Sequence, residues 1–177
     1  MYIGLIRHFK VDCNHDSHMT SDEFIKSEIQ YNNSDIIIND VDLGEIEWHI
    51  CFSSDLPRSI KTAQTLFQGK ITLSPLLREV PVSPIFSTNL KLPYKFWMIS
   101  SRYAWLFKHK SQNENKKATE RRAQDFLNNL DFESDKNILI CSHGFFMDTL
   151  HRQLKAIGFS SNDIKKFKNG TLYLYKK

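Results

Sequence analysis

Three short stretches of this 177-residue chain carry residue types that could do chemistry together. Near the start, the apolar run Tyr2–Ile6 leads into Arg7-His8. In the middle, His49–Phe52 is followed by Ser53-Ser54-Asp55 and, shortly after, Arg58. Late in the chain, Ile138–Cys141 is followed by Ser142-His143-Gly144. Two arginines and two histidines brought together would form an oxyanion pocket, because the guanidinium fork matches phosphate oxygens two at a time. An imidazole there can act as nucleophile, and a phosphohistidine splits phosphoryl transfer into two easier steps. Fixed cations stabilise the charge on the equatorial oxygens of the transition state. The chemistry still needs a carboxylic acid to protonate the leaving oxygen and then to activate water. Glu79 is the candidate. Gly144 would let backbone N–H groups approach an anion at a helix N-terminus.

These groups meet only if the elements carrying them end at one edge. Tyr2–Ile6, His49–Phe52, Ile71–Leu73 and Asn137–Cys141 read as strands, and Thr171–Tyr175 as a last one. Helical spacing of apolar residues follows at Asp22–Ile29, Pro57–Gln68, Phe96–Phe107, Lys117–Leu130 and Phe146–Ile157. Pro57 suits a first helical turn, while Gly69 and Gly158 suit helix ends. Ile36–Ile38 reads equally as a brief strand or an apolar loop, and Asp12–Ser21 as a loop. Strands alternating with helices predict an α/β fold, a three-layer α/β/α sandwich with a mostly parallel central sheet. In such sheets ligands bind beyond the carboxyl ends of the strands. Pro81, Pro84 and Pro93 exclude regular sheet from a stretch that, with the aromatic run after it, reads as a lid insertion over residues 81–110 of a single 1–177 domain.

Composition narrows the function. The net charge is +4, and the basic clusters Lys108–Arg122 and Lys165–Lys168 read as solvated helix faces. No ribonucleoprotein signature or zinc-finger spacing points to nucleic acid. Cys13, Cys51 and Cys141 are odd in number and far apart, which excludes a disulfide framework. Cys51 and Cys141 sit in apolar runs and read as buried small hydrophobes. The start has no charged n-region or cleavage site, and no run reaches membrane-spanning length, so a cytoplasmic protein without a membrane partner is expected. Asp12, Cys13, His15, Asp16 and His18 match no zinc pattern and read as a polar loop, with His15 or His18 near enough to touch substrate. Trp97, Tyr103, Trp105 and Phe107 fit either a substrate pocket or lid packing.

Leu-Ile-Arg-His at 5–8, Ser-Ser-Asp-Leu-x-Arg-Ser-x-x-Thr-Ala at 53–63 and Ser-His-Gly at 142–144 resemble the histidine phosphatase superfamily, the phosphoglycerate mutase-like fold. The resemblance spans about residues 1–175, and the three motifs in this order are specific together though weak singly. It implies that His8 is the phosphorylated nucleophile, that Arg7 and Arg58 bind the phosphate, and that His143 stabilises the transferring group. It places the proton donor at Glu79 and a phosphate-contacting asparagine at Asn14. The implied activity is hydrolysis of a small phosphomonoester without metal or organic cofactor. The rivals are a phosphoglycerate-type mutase and a non-catalytic phospholigand-binding module. Mutases of this family tend to be longer, which favours hydrolysis. A homodimer is left open. The chain departs from the family at Phe9, Lys10 and Val11, where glycine, an acid and a hydroxyl are usual, and in lacking a glycine-rich stretch after Glu79. Phe9 would either reshape the pocket or send its ring into the core.

Overall fold

The chain folds as β1 (Tyr2–Arg7), β2 (Lys10–Val11), β3 (His18–Met19), α1 (Ser21–Asn33), β4 (Ile36–Ile37), β5 (Ile50–Ser53), α2 (Pro57–Leu66) and β6 (Ile71–Leu73), then a 3-10 turn (Pro75–Leu77). There follow β7 (Leu92–Pro93), α3 (Tyr94–Leu106), α4 (Lys116–Asn128), β8 (Ile138–Ser142), α5 (Gly144–Ala156), β9 (Ser160–Ser161) and β10 (Leu172–Lys176). This is a computed structural model describing residues 1–177 throughout.

Six strands form one sheet in the order β6-β5-β8-β1-β10-β9. β6, β5, β8 and β1 are mutually parallel, with Arg7 level with Ser142 and Ser53 level with Cys141. β10 returns antiparallel to β1, and β9 antiparallel to β10. The sheet is therefore mostly parallel, as the alternating sequence pattern requires, with an antiparallel pair closing one side. The parallel register brings the carboxyl ends of β1, β5 and β8 to one edge.

Side-chain alternation along the strands divides the core in two. Ile3, Leu5, Ile138 and Ile140 join Ala123, Phe126, Leu127, Phe146, Met147 and Leu150 of α4 and α5 in the larger cluster. Ile6, Leu139 and Cys141 point the other way, onto Ala63 of α2 with Val41 and Trp48 around them. Each large apolar side chain fully buried here contributes about 1.5–3 kcal/mol. Cys51 and Cys141 are buried free thiols.

A third, smaller cluster of Met19, Phe24 and Trp97 joins α1 to α3. It is held by the β3–β7 pair, His18 opposite Pro93 and Met19 opposite Leu92, so the expected Asp12–Ser21 loop contains a two-residue strand and Pro93 sits in another. Such a short ladder tolerates Pro93. Ile36–Ile37 resolves as a strand, paired with Lys10–Val11. α1 begins and ends beyond the expected Asp22–Ile29. Thr20 and Glu23 form a reciprocal capping box, with the Glu23 N–H on Thr20 Oγ1 at 3.2 Å and the Thr20 N–H on Glu23 Oε2 at 2.8 Å. The other helix ends fall within two residues of expectation, as fraying ends do. No helix is long and apolar enough to cross a membrane.

Candidate active site

Arg7 ends β1, and His8 follows where the strand leaves the sheet, its N–H still bonded to the Ser142 carbonyl at 3.0 Å. The His8 ring is buried, and Nδ1 lies 2.6 Å from the Phe9 carbonyl. A carbonyl only accepts, so Nδ1 carries the proton and Nε2 keeps its lone pair. Arg58 Nε donates to that Nε2 at 3.3 Å. Burial, with Arg58 and Arg7 adding to it, lowers the His8 pKa to about 3, so the imidazole is neutral at neutral pH.

Arg58 is placed by the start of α2. It is buried, donates to Asn32 Oδ1 at 2.7 Å and lies over the Tyr31 ring at 5.1 Å. One turn on, Thr62 Oγ1 donates to the Arg58 carbonyl at 2.7 Å and accepts the Phe9 N–H at 2.9 Å, tying α2 to the loop that holds His8. Ser53 bonds Ser59, which bonds the Cys141 carbonyl at 2.9 Å, so the serines of the second motif join β5, α2 and β8.

His143 is the N-cap residue of α5, with its ring centroid 5.0 Å from that of His8. It is fully buried, and both ring nitrogens lack a protein partner. Burial, then the positive charge of Arg58, pushes its pKa well below the usual histidine value. Gly144 opens α5 against the Arg7 guanidinium. A Cβ at this position would lie 3.0 Å from Arg7 Cζ and Nε, so only glycine leaves the arginine where it is. Arg7 Nη1 donates to the Phe167 carbonyl at 3.1 Å, while its Nε is buried without a protein partner.

Glu79 supplies the cap that His143 does not. Its carboxylate accepts the Phe146 N–H at 2.9 Å and the Phe145 N–H at 3.1 Å, at the positive end of α5, and the Val80 N–H at 2.8 Å. Arg78, next to it in the chain, forks onto Asp55 with two bonds of 2.6 Å. Ser142 Oγ donates to the Leu77 carbonyl, and Arg122 Nη1 to the Leu76 and Arg78 carbonyls at 2.8 and 2.7 Å, fixing the segment that delivers Glu79. Arg122 lies inside a basic cluster that reads as a solvated face, yet it is largely buried and paired with Glu114.

Arg7, His8, Arg58 and Glu79 line one cavity of about 400 Å³. The parallel sheet edge thus brings together six of the seven residues expected there, with the His143 ring beside His8 and Gly144 against Arg7. Asn14 is not among them: it is exposed and does not line the cavity. His15 and His18 do not line it either. His15 stacks on Tyr94 and bonds Ser27, His18 is in β3, and no group of acidic, histidine and cysteine side chains is arranged to hold a metal ion. Phe9 takes the inward course. Its ring is fully buried beside Gly170, whose missing side chain makes the room, since a Cβ there would sit 2.8 Å from the ring. Trp97 and Trp105 are core residues, while Tyr103 and Phe107 stack on each other in solvent.

Much of the remaining wall comes from residues that sequence reading does not single out. α1 gives Glu28, Tyr31 and Asn32, and α3 gives Tyr94, Met98 and Arg102. Asn169 is another, donating from Nδ2 to the His8 carbonyl at 2.7 Å. The spacing of Glu28, Tyr31 and Asn32 along one helix face is the only signal that could have pointed to them.

A profile of the histidine phosphatase superfamily (branch 1) matches residues 41–176. The chain belongs to that superfamily. The match begins after Arg7 and His8, in line with the unusual Phe9-Lys10-Val11 that follows them. No curated protein matches the chain in sequence. Among solved structures, a candidate α-ribazole-5′-P phosphatase from Escherichia coli K-12 superposes with a TM-score of 0.61 at 19% identity, covering 98% of this chain and 89% of that one. The α-ribazole phosphatase of Shigella flexneri gives 0.59 at 18% identity over 98% and 89%. A mycobacterial glucosyl-3-phosphoglycerate phosphatase gives 0.56 at 17% identity over 86% and 78%. At such identities the likeness is one of fold: this member of the superfamily shares its α/β architecture with proteins described as phosphatases.

Proposed function

We propose that the protein is a phosphomonoester hydrolase that works through a phosphohistidine on His8. The observation that carries this reading is the state of the His8 ring: Nδ1–H is held on the Phe9 carbonyl, and Nε2 is unprotonated, met only by the long bond from Arg58 Nε, in a ring that lines a cavity with Arg7 and Arg58. Nε2 forms a bond to phosphorus as the ester P–O bond breaks. Arg7 and Arg58 hold the phosphoryl oxygens, and His143 and the Gly144 N–H, first in α5 and outside its hydrogen-bond ladder, face the same group. Glu79 gives its proton to the leaving alcohol. Water then attacks phosphorus, yields a proton to Glu79 and breaks the P–N bond, releasing inorganic phosphate. The arginines supply the positive charge, so the reaction runs without an added metal ion.

Incubation with p-nitrophenyl phosphate in the presence of a chelator tests this. Wild type releases nitrophenol, and His8→Ala lowers turnover by at least a thousandfold. Equal rates for the two proteins would refute hydrolysis through His8 and favour a binding module.

A further inference from the structure

We infer that Glu28 and Tyr94 form a second recognition point in the cavity, one that accepts a hydroxyl group on the leaving alcohol and rejects a second anion at that place. The inference rests on the phosphatase reading and narrows the class of ester which that site takes.

The charges of the cavity are unequally free. Arg7 and Arg58 adjoin His8 and are left for the phosphate. Of the other two arginines, Arg78 forks onto Asp55, and Arg102 donates to the Val80 carbonyl at 3.1 Å and lies 3.8 Å over the Phe145 ring, its charge near enough to act on Glu28. Opposite them stands Glu28. Its Oε1 accepts the Tyr94 hydroxyl at 3.2 Å, and Oε2 has no protein donor, although Glu28 takes part in no ion pair. Burial raises the pKa of this carboxyl. An acceptor oxygen that lines the cavity without a protein donor is open to a donor from the substrate.

The donor is best supplied by a hydroxyl. A carboxylate or second phosphate at this place would face the Glu28 charge in a medium that screens it poorly. An ammonium would meet the fields of Arg58 and Arg102. A neutral hydroxyl avoids both costs and is the group that acidic side chains read on ribose in dinucleotide sites. The Tyr94 hydroxyl, its proton given to Glu28, offers a further lone pair to the same group. The His15 ring, stacked on Tyr94 at 4.5 Å and 10°, holds that hydroxyl in place. Tyr31 and Met98 give apolar walls for a carbon skeleton.

Glycerol 3-phosphate and 3-phosphoglycerate share one carbon chain and differ in a hydroxymethyl against a carboxylate. For wild type, kcat/KM is expected to be at least tenfold higher for glycerol 3-phosphate. Glu28→Gln should shrink that ratio about tenfold, chiefly through KM, and Tyr94→Phe, which keeps the ring on His15, should shrink it less. A wild-type preference for 3-phosphoglycerate, or a ratio unmoved by both substitutions, overturns the inference while p-nitrophenyl phosphate hydrolysis leaves the phosphatase reading standing. Failure to hydrolyse any of the three esters overturns both.

Discussion

The state of the His8 ring is set by its surroundings. The Phe9 carbonyl sets its tautomer, Arg58 aims at its lone pair, and burial keeps it uncharged. That neutrality has a consequence for stability. An unfolded His8 takes up a proton as pH falls through about 6.5, whereas the native ring resists protonation until about 3. Between those values the unfolded chain binds more protons, so stability present above pH 6.5 is lost progressively as pH falls towards 3. At pH 5 the loss from this residue is about 2 kcal/mol. His143, also held neutral, adds to it in the same direction. Denaturant unfolding at pH 7 and pH 5 should show a smaller drop for His8→Gln than for wild type, and equal drops would contradict the account. At this scale His8, Arg58 and Glu79 were legible because their spacing from strand ends is local information. The course of Phe9 was not, because the space for its ring is made by Gly170, at the other end of the chain.

Helix α5 concentrates much of the site in its first turn. His143 sits at the cap, Gly144 lies under Arg7, and the next two N–H groups hold Glu79. Gly144→Ala tests that arrangement. Alanine suits a helix start, so thermal stability should stay within a few degrees of wild type. The added methyl must move the Arg7 guanidinium by tenths of an ångström, and kcat/KM for p-nitrophenyl phosphate should fall about tenfold or more. Unchanged turnover would show that Arg7 is not positioned by this contact. Helix existence was readable from apolar spacing, but ends were not always: the Thr20–Glu23 capping box extends α1 by a residue at its start, and that helix then runs past Ile29 to Asn33. The basic run around Arg122 shows the reverse failure, a charge that looks like solvated surface and is instead bound to two carbonyls beside Glu79.

Across the whole molecule, the strand order does the assembling. β1, β5 and β8 are parallel neighbours, so motifs about 50 and 135 residues apart from the first arrive at one edge. β10 then packs along β1, and the turn before it ties back, Gly170 N–H to the Arg7 carbonyl at 2.9 Å and Asn169 to His8. The parallel sheet could be read from alternating apolar runs. The cavity wall opposite His8 could not, since α1 and α3 are brought together by the β3–β7 pair, the Met19, Phe24 and Trp97 cluster and the Tyr94–Glu28 bond, contacts without a local sequence sign. The proposed reaction rests on one bond, between His8 Nε2 and phosphorus. Rapid mixing with p-nitrophenyl phosphate, quenching in base and mapping of the modified peptide tests that bond directly. The account predicts one phosphoryl group on His8, stable to base, lost in acid and formed as fast as turnover requires. Full turnover with no such adduct, or with the phosphoryl group on another residue, would contradict it.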